Sequence, residues 1–169
     1  MNSPPTDPPA TAIASQVLTF MIGDAIYGID IPCVQEIRGW TAVTRLPQAP
    51  ADVLGVLNLR GTIVPIVDLR LRFGGTDVQY TPVTVIIVVS VMSSKGPRDF
   101  GMVVDGVSDV INISAQDVKP APELGTDSSG TYIRGLIPVA GRMVVLLDIN
   151  LLIGREFPAA GSIDAVQAA

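Results

Sequence analysis

Apolar and polar positions along this chain fall into short runs that suit pleated strands, separated by turn residues. Val17–Ile22 predicts a strand, Gly23-Asp24 a turn, and Ala25–Ile31 the returning strand of a hairpin. Pro32 suits the first turn of a short helix through Val34 and Glu36, because its missing N–H costs nothing there. Val53–Arg60 and Thr62–Val67 predict a second hairpin around Gly61. Asp68 then caps a short helix, Leu69–Phe73, which Gly74 ends. The apolar run Val83–Met92 (VTVIIVVSVM) predicts a fully buried central strand, and it is about half of what a bilayer crossing needs. Phe100–Val104, an irregular crossing, Tyr132–Val139 and Met143–Leu147 follow, with Asp148 as a second cap and Gly154 as a second stop. Pro65 inside an apolar strand predicts an edge or a bulge.

The chain carries an internal echo. Tyr27–Ile37 matches Phe100–Val110 at an offset of 73, pairing Val34 with Val107, Glu36 with Asp109 and Ile37 with Val110. Gly55–Gly74 matches Gly135–Gly154 at an offset of 80 without a gap, pairing Gly61 with Gly141 and Asp68 with Asp148. Two blocks in one order at nearly one offset predict two related lobes, 17–81 and 82–154, between tails 1–16 and 155–169. Short strands with Gly corners close into small barrels more easily than into a broad open sheet. The expected architecture is all-β: two five-stranded β-barrels packed against each other, with short helices.

Composition sharpens this expectation. Val and Ile together number 39 against 13 Leu, and 48% of the residues are hydrophobic, 16% charged, with a mean hydropathy of +0.47. Such a chain buries a core, and its β-branched residues favour sheet. It has no histidine and one cysteine, which excludes a Ser-His-Asp triad, a His-ligated zinc site, an internal disulfide and a CxxC metal site. Net charge is −5, and lysine occurs only at Lys95 and Lys119. With 5% aromatic residues as well, this argues against a nucleic-acid-binding barrel. The opening MNSPPTDPPATAIAS lacks the basic and apolar regions of a signal peptide and reads as a disordered tail; PAAGSIDAVQAA reads as another. A soluble cytoplasmic protein is expected, and no cofactor motif is present: Gly74-Gly75 and Ser128-Ser129-Gly130 read as loops.

Several residues invite chemistry. Asp68 and Asp148 stand at equivalent repeat positions and suggest a catalytic carboxylate pair, which requires the carboxyls within about 6 Å. Neither lies in an Asp-Thr/Ser-Gly turn, and both precede short helices, so helix caps are the favoured reading. Asp105 before Gly106 reads as a turn residue, and Cys33 as a small packing residue without a base to activate it. Arg60 ends an apolar strand before a Gly turn; Glu36 and Arg38 stand near Trp40; Pro120–Leu124 is a stiff loop with apolar and charged groups. Arg and Trp are frequent binding hot spots, and rigid loops lose little entropy on docking. The residues point to a non-enzymatic, two-lobed β interaction module.

The stretches YGIDIPCVQEIRGW, VTRLP, GVLNLRGTIVPIVDLR and VVDGVSDV, in order from about Val17 to Ile153, resemble the CheW family of chemotaxis coupling proteins. The resemblance implies two five-stranded, SH3-like barrels around a shared core and an adaptor without catalysis. It implies two partners: the cytoplasmic tip of a methyl-accepting chemoreceptor and the regulatory domain of the histidine kinase CheA. Matched position by position, it implies receptor contacts at Val34, Arg60 and Val85, with Gly55 and Gly101 allowing close approach. It implies one kinase contact at Ile31 and Glu36 and another at Lys119, Glu123 and Leu124. Ala25, Pro32, Cys33 and Leu124 depart from the family pattern, in which an acidic residue, an aliphatic-lysine pair and an aromatic are usual.

Overall fold

Within residues 15–93, 95–120 and 132–154, which the computed structural model describes, ten strands and two short helices form. They are β1 (Ser15–Ile22), β2 (Ala25–Asp30), β3 (Val34–Gly39), β4 (Val53–Leu59), β5 (Thr62–Asp68), α1 (Leu69–Arg72), β6 (Val85–Ser93), β7 (Gly96–Val104), β8 (Gly106–Ile113), β9 (Ile133–Val139), β10 (Arg142–Leu147) and α2 (Ile149–Gly154). Two five-stranded sheets result, ordered β8-β1-β2-β10-β9 and β3-β6-β7-β5-β4. The expected two-lobed β architecture is therefore present.

The lobes do not divide the chain at 81/82 as the repeat suggested. The two orders are the same once strands are matched through the repeat, but each sheet takes its β-hairpin from the other half of the sequence. The β1–β2 hairpin joins β8, β9 and β10, and the β6–β7 hairpin joins β3, β4 and β5. Parallel ladders stitch the exchange: β2 pairs with β10 from Ile26↔Val144 to Gly28↔Leu146, and β7 pairs with β5 from Gly101↔Ile66 to Val103↔Asp68. Parallel neighbours cannot be joined by a tight turn, so the exchanged hairpin satisfies a constraint that a simple meander could not.

Strand periodicity divides the core into three. On β6, Ile86 and Val88 enter the interior of the second sheet's barrel with Leu54, Val64, Ile66 and Val103. Ile87, Val89 and Val91 point the other way, into a shared core with Leu18, Phe20, Ile29, Met102, Leu147 and Leu152. Val17, Ile113, Ile137, Val144 and Leu146 fill the first sheet's barrel. The run expected to be buried is buried on both faces, although Val83 and Met92 at its ends are exposed.

Three local expectations change. Pro32 opens only a single 3-10 turn, Ile31–Cys33, and Val34–Gly39 is strand rather than helix. Here β-branched Val34 and Ile37 pair with Val89 and Ile87 of β6, and tertiary pairing overrides the helix start. The irregular crossing after Val104 contains a full strand, β8, paired with β1. Pro65 lies in β5, which is flanked on both sides; it pairs with Val56 of β4 and stands just before the β7 ladder begins at Ile66. Gly61 and Gly74 turn as expected, and Asp68 caps α1 by accepting from the Arg70 N–H at 3.0 Å.

The repeated Gly55/Gly135 pair has a packing cause. Thr44 bridges to Val56 and Lys119 bridges to Leu136, so in each lobe a crossing segment runs directly over the glycine. A Cβ on Gly55 would lie 2.0 Å from the Thr44 carbonyl oxygen, and its φ of 149° also disfavours a side chain. Gly55→Ala is expected to destabilise the fold by about 3 kcal/mol. Gly39→Ala, with nothing within 4 Å, is expected to be near neutral in the same denaturant titration.

Candidate functional site

The β3 edge and the β4–β5 turn meet at a charged cluster. Arg60 and Gly61 both have positive φ, 53° and 88°, the primed-turn geometry that fits strand twist, and Asn58 Oδ1 accepts from the Gly61 N–H at 2.9 Å. This turn carries the Arg60 guanidinium back to β3, where it donates to Glu36; Arg38 Nη1 donates to the other Glu36 oxygen at 2.8 Å. The hydrogen bonds from Arg60 and Arg38 hold the Glu36 carboxyl below the usual carboxylate range. Arg60 is 74% exposed, so the pair orients two side chains on a surface rather than holding the fold together.

The candidate residues distribute unevenly. Val34 and Val85 are half-buried against the shared core at opposite ends of the β3–β6 pairing. Ile31 is half-buried in the 3-10 turn, and Lys119 is exposed while its backbone pairs with Leu136. Glu123, Leu124 and most of the Pro120–Leu124 loop lie outside the described residues. Gly55 and Gly101 are both buried, and their lack of a side chain is used inside the molecule. A Cβ on Gly101 would meet Ile66 Cδ1 at 2.5 Å, just as Gly55 makes room for Thr44. Trp40, a hot-spot candidate by type, stacks on Tyr80 at 4.3 Å and packs on the second barrel's core.

Neither Asp68 nor Asp148 belongs to a carboxylate pair. Each caps its own helix, Asp148 through the Leu151 N–H at 3.1 Å. Asp68 is fully buried and saturated: Oδ1 accepts from Arg70 N and Nε at 3.0 Å, and Oδ2 from Arg70 Nη2 at 2.9 Å and Tyr80 OH at 2.7 Å. Burial and the Asp68 bond push the Tyr80 phenol up to about 12. Burial alone would lower the Arg70 guanidinium; the bonds to Asp68 and Asp105 outweigh it and raise its pKa. Cys33 donates to the Asp30 carbonyl at 2.9 Å, and burial together with Asp30 pushes its thiol up to about 11, so it stays protonated at neutral pH.

Sequence reasoning missed Arg70 and Tyr80 and set Asp105 aside as a turn residue. Arg70 Nη1 donates to Asp105 Oδ1 at 3.0 Å and to the Gln79 carbonyl at 2.8 Å. The available signal was an arginine two residues after a buried cap, inside the apolar context PIVDLRL. The Asp30–Arg134 pair, 104 residues apart, left no local signal.

The model of the CheW-like domain matches residues 16–157. The chain belongs to the CheW family. Chemotaxis protein CheW of Klebsiella aerogenes is 44% identical over 144 residues, covering 85% of this chain and 84% of that protein. The CheW of Rhizobium meliloti is 40% identical over 141 residues, covering 83% and 88%. The crystal structure of the scaffolding protein TtCheW from Thermoanaerobacter tengcongensis superposes with a TM-score of 0.71 at 27% identity, covering 80% of this chain and 89% of that one. The two bacterial relatives are named chemotaxis proteins, and TtCheW is named a scaffolding protein.

The Glu36 cluster yields a titration prediction. In Arg60→Ala, carbon-detected NMR of the Glu36 carboxyl is expected to show its pKa rising toward the ordinary value, because the first of its two donors is gone. The sign for stability follows: a carboxyl lowered on folding adds stability above its unfolded pKa and loses it as pH falls through the folded value. The variant is therefore expected to lose that part of its acid dependence. An unchanged pKa would assign the whole effect to Arg38.

Proposed function

We propose that this CheW-family protein is a non-catalytic adaptor that couples the cytoplasmic tips of transmembrane chemoreceptors to the histidine kinase CheA. The receptor-facing residues are Val34, Arg60 and Val85. One kinase contact is Ile31 and Glu36, and the other is Lys119, Glu123 and Leu124. Glu36 lies on β3 of the second sheet, and the Lys119 backbone pairs with Leu136 on β9 of the first. That disposition suits a protein that alternates with a kinase domain of similar build. No described helix is long and apolar enough to cross a membrane, in keeping with a cytoplasmic adaptor that meets the membrane through receptors.

The observation that carries the reading is the bond between Arg60 and Glu36. It joins one residue of the receptor-facing set to one of the kinase-facing set. Coupling requires that occupancy of one surface alter the free energy of the other. A shared ion pair supplies that link, because a receptor carboxylate that recruits Arg60 leaves Glu36 with Arg38 alone.

Calorimetry with the regulatory domain of CheA from the same genome, and with a receptor-tip fragment, tests the proposal. Binding of both is expected with Kd below about 1 mM, or about −4 kcal/mol. Glu36→Arg is expected to weaken kinase binding about tenfold or more, about 1.4 kcal/mol. Arg60→Ala is expected to keep the fold and weaken the receptor contact. Failure of both partners to bind would refute the adaptor role. Kinase binding indifferent to Glu36→Arg would keep the role and overturn the residue assignment.

A further inference from the structure

The chain passes between the two sheets at two corners, from β2 to β3 and from β7 to β8. The repeat sets Pro32 of the first corner against Asp105 of the second. The corners are built differently. At the second, the Asp105 N–H donates to the Met21 carbonyl at 3.0 Å. Asp105 Oδ2 accepts from the Gly23 N–H in the β1–β2 turn at 2.6 Å, and Oδ1 accepts from Arg70 Nη1 at 3.0 Å. Arg70 is 7% exposed and locked onto fully buried Asp68 at the end of β5. One carboxylate thus joins a turn of the first sheet to the helix of the second.

Among the described residues the first corner shows no such clamp. Pro32 brings neither a carboxylate nor an N–H, and the 3-10 turn there shows no side-chain cap. Its charged contact is Asp30 with Arg134 at 2.5 Å, and both side chains are more than two-fifths exposed. Water and salt screen a pair exposed at both ends; Asp105 is 41% exposed, but its partner Arg70 is 7% exposed and anchored on Asp68, so the second corner is screened less. Two other hydrogen bonds hold α2, one from Arg72 Nη2 of α1 to the Leu152 carbonyl at 3.2 Å and one from the Met92 N–H of β6 to Asn150 Oδ1 at 2.9 Å, but neither lies at a corner.

We propose that Asp105 is a positioning residue: it fixes the angle between the two lobes at one corner, and the other corner yields when partners load the adaptor. This rests on the adaptor reading for its consequence but not for its geometry. An adaptor that meets its receptor on the second sheet and its kinase through residues of both sheets transmits state through the angle between them. A rigid corner opposite a compliant one turns local loading into a defined rotation rather than a general loosening.

The test places spin labels at Ile63→Cys and Met143→Cys, equivalent exposed positions of the two lobes, in the full chain carrying Cys33→Ser. Asp105→Asn, which keeps the shape but removes the charge that holds Arg70, is expected to broaden the inter-label distance distribution. Asp105→Glu, which keeps the charge one methylene further out, is expected to shift the distribution while leaving it narrow. In reconstituted receptor–kinase assemblies, Asp105→Asn is expected to bind both partners within about twofold of the parent, yet to reduce receptor control of kinase activity about fivefold or more. Unchanged distances in both variants would overturn the proposal, as would full receptor control despite broadened distances. Loss of native circular dichroism in both variants would make Asp105 a folding residue and equally overturn it. If the parent protein binds neither partner, the adaptor reading fails, while the distance measurement still decides the geometry.

Discussion

A buried ion pair, Asp68 with Arg70, is the constraint on which the rest of this molecule depends. Removing two charges from water costs several kcal/mol each, and attraction alone seldom repays it. It is tolerated here because the surrounding groups are satisfied. Asp68 accepts four hydrogen bonds, and Arg70 reaches Asp68, the Gln79 carbonyl and Asp105. The Tyr80 ring lies 5.0 Å from the guanidinium and passes the arrangement on to Trp40 by stacking. One charge pair therefore fixes the start of α1, the segment from Gln79 to Tyr80, and the corner between the sheets. Loss of Arg70 would leave the Asp68 carboxylate buried without its cation, and loss of Asp68 would leave Arg70 with Asp105 alone, so these elements are coupled.

What was legible in the sequence follows from how local each determinant is. Hairpins show because alternation and turn glycine lie within ten residues: the β1–β2 and β4–β5 hairpins fall within about two residues of expectation. The caps at Asp68 and Asp148 show for the same reason. β3 was misread because Pro32 is a strong local helix signal, while the opposing cause, pairing with β6, lies about fifty residues away. β8 was missed because its exposed positions, Val107 and Val110, mask the alternation that β1 imposes from across the sheet.

The repeat was visible, but its meaning was not. Sequence similarity between halves suggests two successive domains. The parallel ladders reveal an exchange in which neither half closes its own sheet. The glycines that mark the repeat are the contact points of that exchange and of the crossing segments. Gly28 and Gly101 clear space inside the two barrels, and Gly55 and Gly135 let a strand pass overhead. A motif glycine carried over from relatives as a binding residue can therefore be a packing residue, and burial is the observation that separates the two.

The candidate surface was legible as residue types but not as a connected unit. The family resemblance implies different partners for Glu36 and Arg60, and the 24 residues between them give no local sign that they touch. The turn geometry at Arg60-Gly61 brings them together. At the equivalent place in the other lobe, Ala140 stands where Arg60 does, so the turn is kept, with φ of 51° and 80°, while the charge is not. The duplicated fold has thus preserved its backbone and let its surfaces diverge. The two lobes are alike enough to share one core, and unlike enough that each surface presents its own chemistry.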